Sequence, residues 1–345
     1  MKNTNRIDLL KEGHLSREEL KILLDTYTPE DQAYAACLSR KITDEIYDHE
    51  IYIRGLIEIS SYCKNDCYYC GLRKSNTHAM RYHLTKEDIL ACCQEGYEAG
   101  FRTFVMQGGE DLSYDDEKMC DIIATIRAHY PDCAITLSLG EKEKETYEKY
   151  YQAGANRYLL RHETYNEAHY YQLHPQDMSF QHRIQCLHNL KEIGFQTGCG
   201  FMVGSPGQTN AHLVNDLMFI KELTPEMVGI GPYLVHHDTP FKNEHNGDLE
   251  KTLFLLSLIR IMHPHVLLPA TTALATLRPE GRSRGIQLGC NVIMPNLSPR
   301  SVREKYMLYD HKANTGQEAK EGLKDLTDTM ARIGYQVVVD RGDFK

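Results

Sequence analysis

From residue 51 the chain alternates short apolar runs with helical stretches, and this alternation leaves few folds open. Candidate strands cover 51–59, 103–107, 134–138, 157–161, 197–203, 227–230, 266–269 and 286–293. Helical stretches lie between them near 85–99, 116–129, 143–153, 180–193, 211–223, 249–262 and 273–280. Strands that alternate with helices across short loops argue a parallel sheet. Eight such strands predict an α/β fold, a complete TIM-type (βα)8 barrel with its active site at the carboxyl ends of the strands. The 345 residues suffice for one barrel with additions at both ends. Residues 1–50 read as an N-terminal helical extension, with Ser16 and Glu19 spaced as a capping box. Residues 51–298 make the barrel, and 299–345 a C-terminal helical cap that ends on the apolar 337–339.

Directly after the first candidate strand comes Cys63-Lys64-Asn65-Asp66-Cys67-Tyr68-Tyr69-Cys70. A Cys-x3-Cys-x2-Cys loop can turn three thiolates toward one point, which suits a soft metal centre or an iron–sulfur cluster. Three ligands leave one metal corner open for a further ligand. Zinc with His78 or His83 as fourth ligand is the alternative, although the paired spacings of structural zinc sites are missing. The spacing and the odd count of eleven cysteines argue against a disulfide framework. Cys37, Cys92, Cys93, Cys120, Cys133, Cys186, Cys199 and Cys290 sit mostly in apolar patterns and read as small buried hydrophobes. Reduced thiols point to a reducing cytoplasm. Residues 1–11 are polar and lack the apolar core of a signal peptide. No run of about 18 apolar residues predicts a membrane span. The net charge of −9 offers no basic field to nucleic acid.

Several polar groups fall at the predicted carboxyl ends of the strands. Gln107-Gly108-Gly109-Glu110-Asp111 places paired glycines where backbone can approach a ligand, or can simply turn. Thr136 and Ser138 end the next strand. Arg161 and Glu163 share one strand face, where they can meet a ligand's carboxylate and hydroxyls or pair with each other. Arg183 opens a helix as a second partner for a carboxylate. Met202, Met227 and Met294 end later strands as soft walls or plain core. Thr271 and Thr272 add hydroxyls. Arg54 lies inside the first strand and needs an anion, either a ligand or a structural partner such as Glu58.

The triplet, with aromatic Tyr69 before its last cysteine, resembles the signature of the radical S-adenosylmethionine (SAM) superfamily. The resemblance sharpens at Arg157-Tyr158-Leu159-Leu160-Arg161-His162-Glu163-Thr164, at Gly204-Ser205-Pro206-Gly207-Gln208-Thr209 and at Asn291-Val292-Ile293-Met294-Pro295-Asn296. These are similar to the FeFe-hydrogenase H-cluster maturases, in the group that includes biotin synthase and methylornithine synthase. The resemblance implies that Cys63, Cys67 and Cys70 hold one 4Fe–4S cluster whose open iron binds SAM. Reductive cleavage of SAM would then give methionine and a 5′-deoxyadenosyl radical. It further implies that Gly109, Glu110, Ser138, Arg161, Glu163, Arg183 and Met202 surround SAM. Arg54, Gln107, Thr136, Thr271, Thr272, Met227, Met294 and Tyr306 would line a substrate cavity. The implied substrate is a cysteine-bound Fe(CO)2CN precursor from a partner maturase, and the product passes to a scaffold GTPase. Some members carry a second cluster on C-terminal cysteines. Here the last cysteine is Cys290 and the stretch 311–322 has none, so one cluster is expected. A radical SAM mutase similar to methylornithine synthase is the alternative. A non-catalytic metal scaffold would have no use for Gly109, Glu110 and Glu163 together.

Overall fold

The computed structural model describes residues 1–313 and 319–345. Residues 314–318, part of the cysteine-free stretch behind the single-cluster expectation, lie outside the described residues.

The predicted first strand is two, β1 (Glu50–Ile53) and β2 (Gly55–Ser60), divided at Arg54. After them come β3 (Thr103–Gly108), β4 (Ala134–Ser138), β5 (Arg157–Leu159), β6 (Gln196–Cys199), β7 (Met202–Val203), β8 (Met227–Val228), β9 (Gly231–Pro232), β10 (Val292–Ile293) and β11 (Gln336–Val338). The strands β2-β3-β4-β5-β6-β8 form a six-stranded parallel sheet. Beyond β8, single parallel bridges join Met227 to Leu267, Pro269 to Val292 and Leu56 to Asn296. β10 also pairs with β1, Tyr52 opposite Val292.

Five predicted strands need correction. The stretch 157–161 stops at Leu159, which leaves Arg161 and Glu163 past β5 rather than on one strand face, and 227–230 stops at Val228. The stretch 266–269 makes only those bridges, since Pro269 has no N–H to extend a ladder. Most of 286–293 is not strand, and only β10 remains. The stretch 197–203 breaks at Gly200, where an added Cβ would lie 2.0 Å from the Gly229 carbonyl oxygen. That close approach of two chains admits only glycine.

The N-terminal extension is α1 (Asn3–Lys11), α2 (Arg17–Thr26) and α3 (Pro29–Tyr47). As expected, the Ser16 side chain accepts from the Glu19 N–H. α4 (Lys86–Glu98), α5 (Asp116–His129) and α6 (Lys144–Gln152) cover the first half of the sheet, and their apolar faces meet Ile57, Phe104, Met106 and Ile135 in one core. α7 (Glu167–Leu173), which the sequence did not suggest, starts at Asn166, whose side chain caps the His169 N–H. α8 (Phe180–Ile193), α9 (Asn210–Leu223), α10 (Leu249–Met262), α11 (Thr272–Leu277) and α12 (Gly281–Gln287) follow. α10 is apolar around most of its circumference and packs against α1, α3, α12 and β9.

The expected helical cap is only partly helical. It holds α13 (Arg300–Arg303) and α14 (Ala319–Arg332), then returns as β11 parallel to β1. The tail beyond β11 lies at the amino ends of β3 and β5. There Arg157 Nη2 donates to the Arg341 carbonyl at 2.9 Å and meets Asp343 Oδ1 at 2.6 Å. No helix among the described residues is long and apolar enough to cross a membrane.

Candidate active site

The cysteine loop begins where β2 ends, so the strand delivers Cys63 to the mouth of the sheet. Two basic groups shape the loop. Arg81 donates to the carbonyls of Ser61, Leu72, Arg73 and Asn76 and so draws both ends of the loop onto one guanidinium. Arg73 grips Asp66 with Nε at 2.8 Å and Nη2 at 2.6 Å, and Asp66 also takes the Ser75 N–H at 3.0 Å. An Arg fork suits both tasks because its planar donors fix direction as well as charge.

Burial raises all three thiols, Cys70 to about 12, and the negative charge of neighbouring Cys63 adds to this. Such thiols become thiolates when a cation is present, as metal binding supplies. A single tetrahedral zinc would hold its sulfur ligands about 3.8 Å apart. Among the described residues, no trio of ligand atoms within 4.8 Å of one another includes any of these cysteines. The two histidines offered for zinc are turned to carboxylates, His78 to Asp238 at 3.1 Å and His83 to Asp111 at 3.7 Å. The donor set therefore fits a multi-iron cluster rather than one zinc ion.

Around this loop stand the residues expected for SAM. Gly109 packs so closely that a Cβ would lie 2.1 Å from the Tyr62 carbonyl oxygen and 2.8 Å from the Cys63 Cβ. Glu110 accepts from the Glu141 N–H at 3.0 Å and meets Lys64 at 3.1 Å, bracing the loops after β2, β3 and β4. Ser138 ends β4. Arg161 and Glu163 face each other at 3.1 Å, the mutual pair considered from sequence. Glu163 holds a left-handed backbone, φ 65°, which costs a non-glycine residue energy and re-aims its side chain. Arg183 lies 2.6 Å from Glu141, a partner the sequence did not suggest. Met202 is buried with Leu173 and Tyr233, and Tyr69 packs against them.

The residues expected for the substrate divide. Arg54, 0% exposed, gives Nη1 to Met227 Sδ at 2.9 Å and Nη2 to the Gly342 carbonyl at 3.4 Å. It thus serves the tail, and its Nε has no partner among the described residues. Gln107 Nε2 donates to the Tyr306 hydroxyl at 3.3 Å. The Thr136 hydroxyl is buried without a partner among the described residues. Thr271 reaches the Ile230 carbonyl at 3.5 Å. Thr272 and Met294 line a cavity of 420 Å³ whose lining includes Lys312 but not Arg54, Gln107 or Thr136. Glu58, offered as a partner for Arg54, is instead paired with Lys312, and Asn296 donates to it at 2.9 Å. Lys312 lies far along the chain, so no spacing in the sequence could have joined it to Glu58.

Known proteins bear on this arrangement. A family profile described as the Radical SAM superfamily matches residues 57–220. The [FeFe] hydrogenase maturase subunit HydE of Thermotoga maritima is 44% identical over 310 residues, 89% of this chain and 87% of that protein. The chain belongs to the radical SAM superfamily, in its HydE branch. As a radical SAM enzyme it inherits from its family the need for a 4Fe–4S cluster and SAM, which the cysteine loop fits. The 3-methylornithine synthase of Methanosarcina acetivorans is 26% identical over 322 residues, 92% of this chain and 88% of that one. In fold, this radical SAM protein is similar to the crystal structure of methylornithine synthase, with a TM-score of 0.84 and 24% identity over 96% of this chain and 97% of that. HydG, a maturase of the [FeFe]-hydrogenase, gives a TM-score of 0.80 at 20% identity over 96% of this chain and 75% of that.

Proposed function

We propose that the protein is a maturase that acts in assembly of the diiron subcluster of the FeFe-hydrogenase H-cluster. The observation that carries this reading is the 44% identity to HydE across 89% of the chain. The sheet, its bridges at Leu267, Pro269 and Asn296 and the β10–β1 pairing are read as one closed (βα)8 barrel. Cys63, Cys67 and Cys70 would hold one 4Fe–4S cluster. When bound, that cluster supplies the electron that cleaves SAM to methionine and a 5′-deoxyadenosyl radical. Arg161 and Arg183 offer cations to the SAM carboxylate, Glu163 an acceptor to ribose hydroxyls, and Ser138 a donor between them. Gly109 and Glu110 serve the SAM amino group, and Met202 lies against the adenine. Gln107, Thr136, Thr271, Thr272, Met227, Met294 and Tyr306 face the substrate, a cysteine-bound Fe(CO)2CN unit from a partner maturase that the radical attacks. The product goes to a scaffold GTPase, all within the reducing cytoplasm. Arg54 reaches Met227 on one side and the tail at Gly342 on the other, so it is read as a structural tie below these groups rather than as a substrate ligand.

One observation favours a second reading, an amino-acid mutase of the methylornithine synthase kind. Glu58 is a buried carboxylate near Tyr306 that could receive a substrate ammonium. Lys312 already neutralises it, which weighs for the maturase. The test is substrate-dependent formation of 5′-deoxyadenosine. The maturase reading expects stimulation by the Fe(CO)2CN–cysteine complex and restored hydrogenase activity with the partner maturases. Strong stimulation by an α-amino acid, and none by the complex, would replace it with the mutase.

A further inference from the structure

His174 lies just past the end of α7 and is fully buried, yet neither the cysteine triplet nor the SAM residues account for it. Its Nδ1 is 2.9 Å from the Tyr170 carbonyl oxygen, which can only accept. The proton therefore sits on Nδ1, and Nε2 carries a lone pair. That lone pair faces the Tyr69 hydroxyl at 3.1 Å, so Tyr69 donates and His174 accepts. Burial lowers the imidazole to about 3, with the Arg183 charge acting the same way, so His174 stays neutral at working pH. The Tyr170 ring stacks on it at 4.0 Å, and the Tyr69 ring stands edge-on at 5.3 Å and 88°. Rotation of the imidazole is thus blocked from both sides.

The end of α7 and the connection that follows it hold the loop at two more points. The Tyr68 N–H donates to the Leu173 carbonyl at 2.9 Å, and Cys67 Sγ lies 3.9 Å from Met178 Sδ. Tyr69 immediately precedes Cys70 in the chain, and its ring packs with Leu173, Met202 and Tyr233. At its other end α7 follows Glu163 by four residues. One short helix therefore links the Arg161–Glu163 end of β5 to the third cysteine.

We propose that His174 is a positioning residue: through the Tyr69 hydroxyl it fixes the Tyr69 ring against Met202 and the direction of the Cys70 arm, and so tunes how the cluster receives SAM. This rests on membership of the radical SAM superfamily and not on the maturase reading, since its test needs only cluster and SAM.

The test compares His174→Phe, Tyr69→Phe and the double variant in the reconstituted protein. His174→Phe strands a buried hydroxyl, so its melting temperature should fall, and the double variant should recover it because no polar group is left alone. SAM binding should weaken about tenfold in both, the equivalent of one lost hydrogen bond. The electron paramagnetic resonance spectrum of the reduced, SAM-bound cluster should be altered in both, with iron content unchanged. A filler of the core would behave otherwise: SAM affinity and spectrum would return with the melting temperature in the double variant, and that result overturns the proposal. If His174→Phe does not fold, Tyr69→Phe decides alone. Wild-type affinity and spectrum in that variant sink the proposal, and weakened SAM binding with full iron content supports it.

Discussion

Arg183 Nε lies 2.6 Å from Glu141 Oε1, and both side chains are nearly buried. Arg183 also gives Nη1 to the Arg161 carbonyl at 3.3 Å. The guanidinium is therefore held before SAM arrives, tying α8 to the loop after β4. Glu141→Ala leaves a buried cation unpaired and should cost about 3–5 kcal/mol in urea unfolding. A loss under about 1 kcal/mol would mean that water takes over the glutamate's place.

The cysteine loop predicts its own metal content. Anaerobic reconstitution should give about four iron and four sulfide per chain, as one three-cysteine cluster requires. Cys67→Ala should lose the cluster and SAM cleavage but keep the circular dichroism of the α/β fold, whose core does not include Cys67. Roughly eight iron per chain would reveal a second cluster.

Glu163 is the sharper test of the SAM site because it already has a partner in Arg161. If Glu163 turns to the ribose when SAM binds, Glu163→Ala weakens SAM binding by about 1–3 kcal/mol, the range for a charged hydrogen bond. The spectrum of the SAM-free cluster should not move. Unchanged SAM affinity with lowered stability would leave only the salt bridge at the rim.

The chain's local chemistry was legible where the residues that matter are neighbours. The cysteine triplet, the glycine pair after β3 and the Arg161–Glu163 pair all read from short spacings, because strands carry adjacent residues to one mouth. β4 and the Ser16 cap were readable for the same reason. Partners supplied from far along the chain were not. Glu58 finds Lys312, Arg183 finds Glu141, and Arg54 finds Gly342, each through closure of the fold. The strands from β6 onward misled because Gly200, Gly229 and Pro269 shorten the ladders while hydrophobicity continues. β11 was hidden in a cap that read as helix, since three residues are too few for a period.

The tail beneath the sheet carries a pH dependence. Burial would raise the Asp343 carboxyl, but Arg157 beside it more than reverses this and leaves it below its usual 3.8. A depressed carboxylate contributes stability above its unfolded pKa and loses it as pH falls through the folded value. The protection of the Val337 and Val338 amides, which pair with β1, relative to their intrinsic exchange rates should therefore fall below about pH 4. Asp343→Asn should remove that dependence. Asp343→Ala should cost about 1–3 kcal/mol, less than a fully buried pair, because Asp343 keeps one side in water. Protection that stays flat down to pH 3 would show that the β1–β11 pairing holds the tail without Arg157.

Glu58 and Lys312 allow the wall of the chamber to be tested apart from the cluster. Glu58 is 1% exposed and Lys312 crosses from the segment after α13, its ammonium also 4.8 Å over the Tyr306 ring. Lys312→Met leaves a buried carboxylate unpaired and should cost about 3–5 kcal/mol. Glu58→Met with Lys312→Met replaces the pair by apolar groups of similar volume and should recover most of that loss. SAM binding and slow SAM cleavage without substrate should then be near wild type, since neither residue is among those assigned to SAM. If the pair borders the substrate, stimulation of 5′-deoxyadenosine formation by the Fe(CO)2CN–cysteine complex should still be lost in the double variant. Full stimulation there would make the pair a brace for the cap alone and move the substrate toward Gln107 and Thr136.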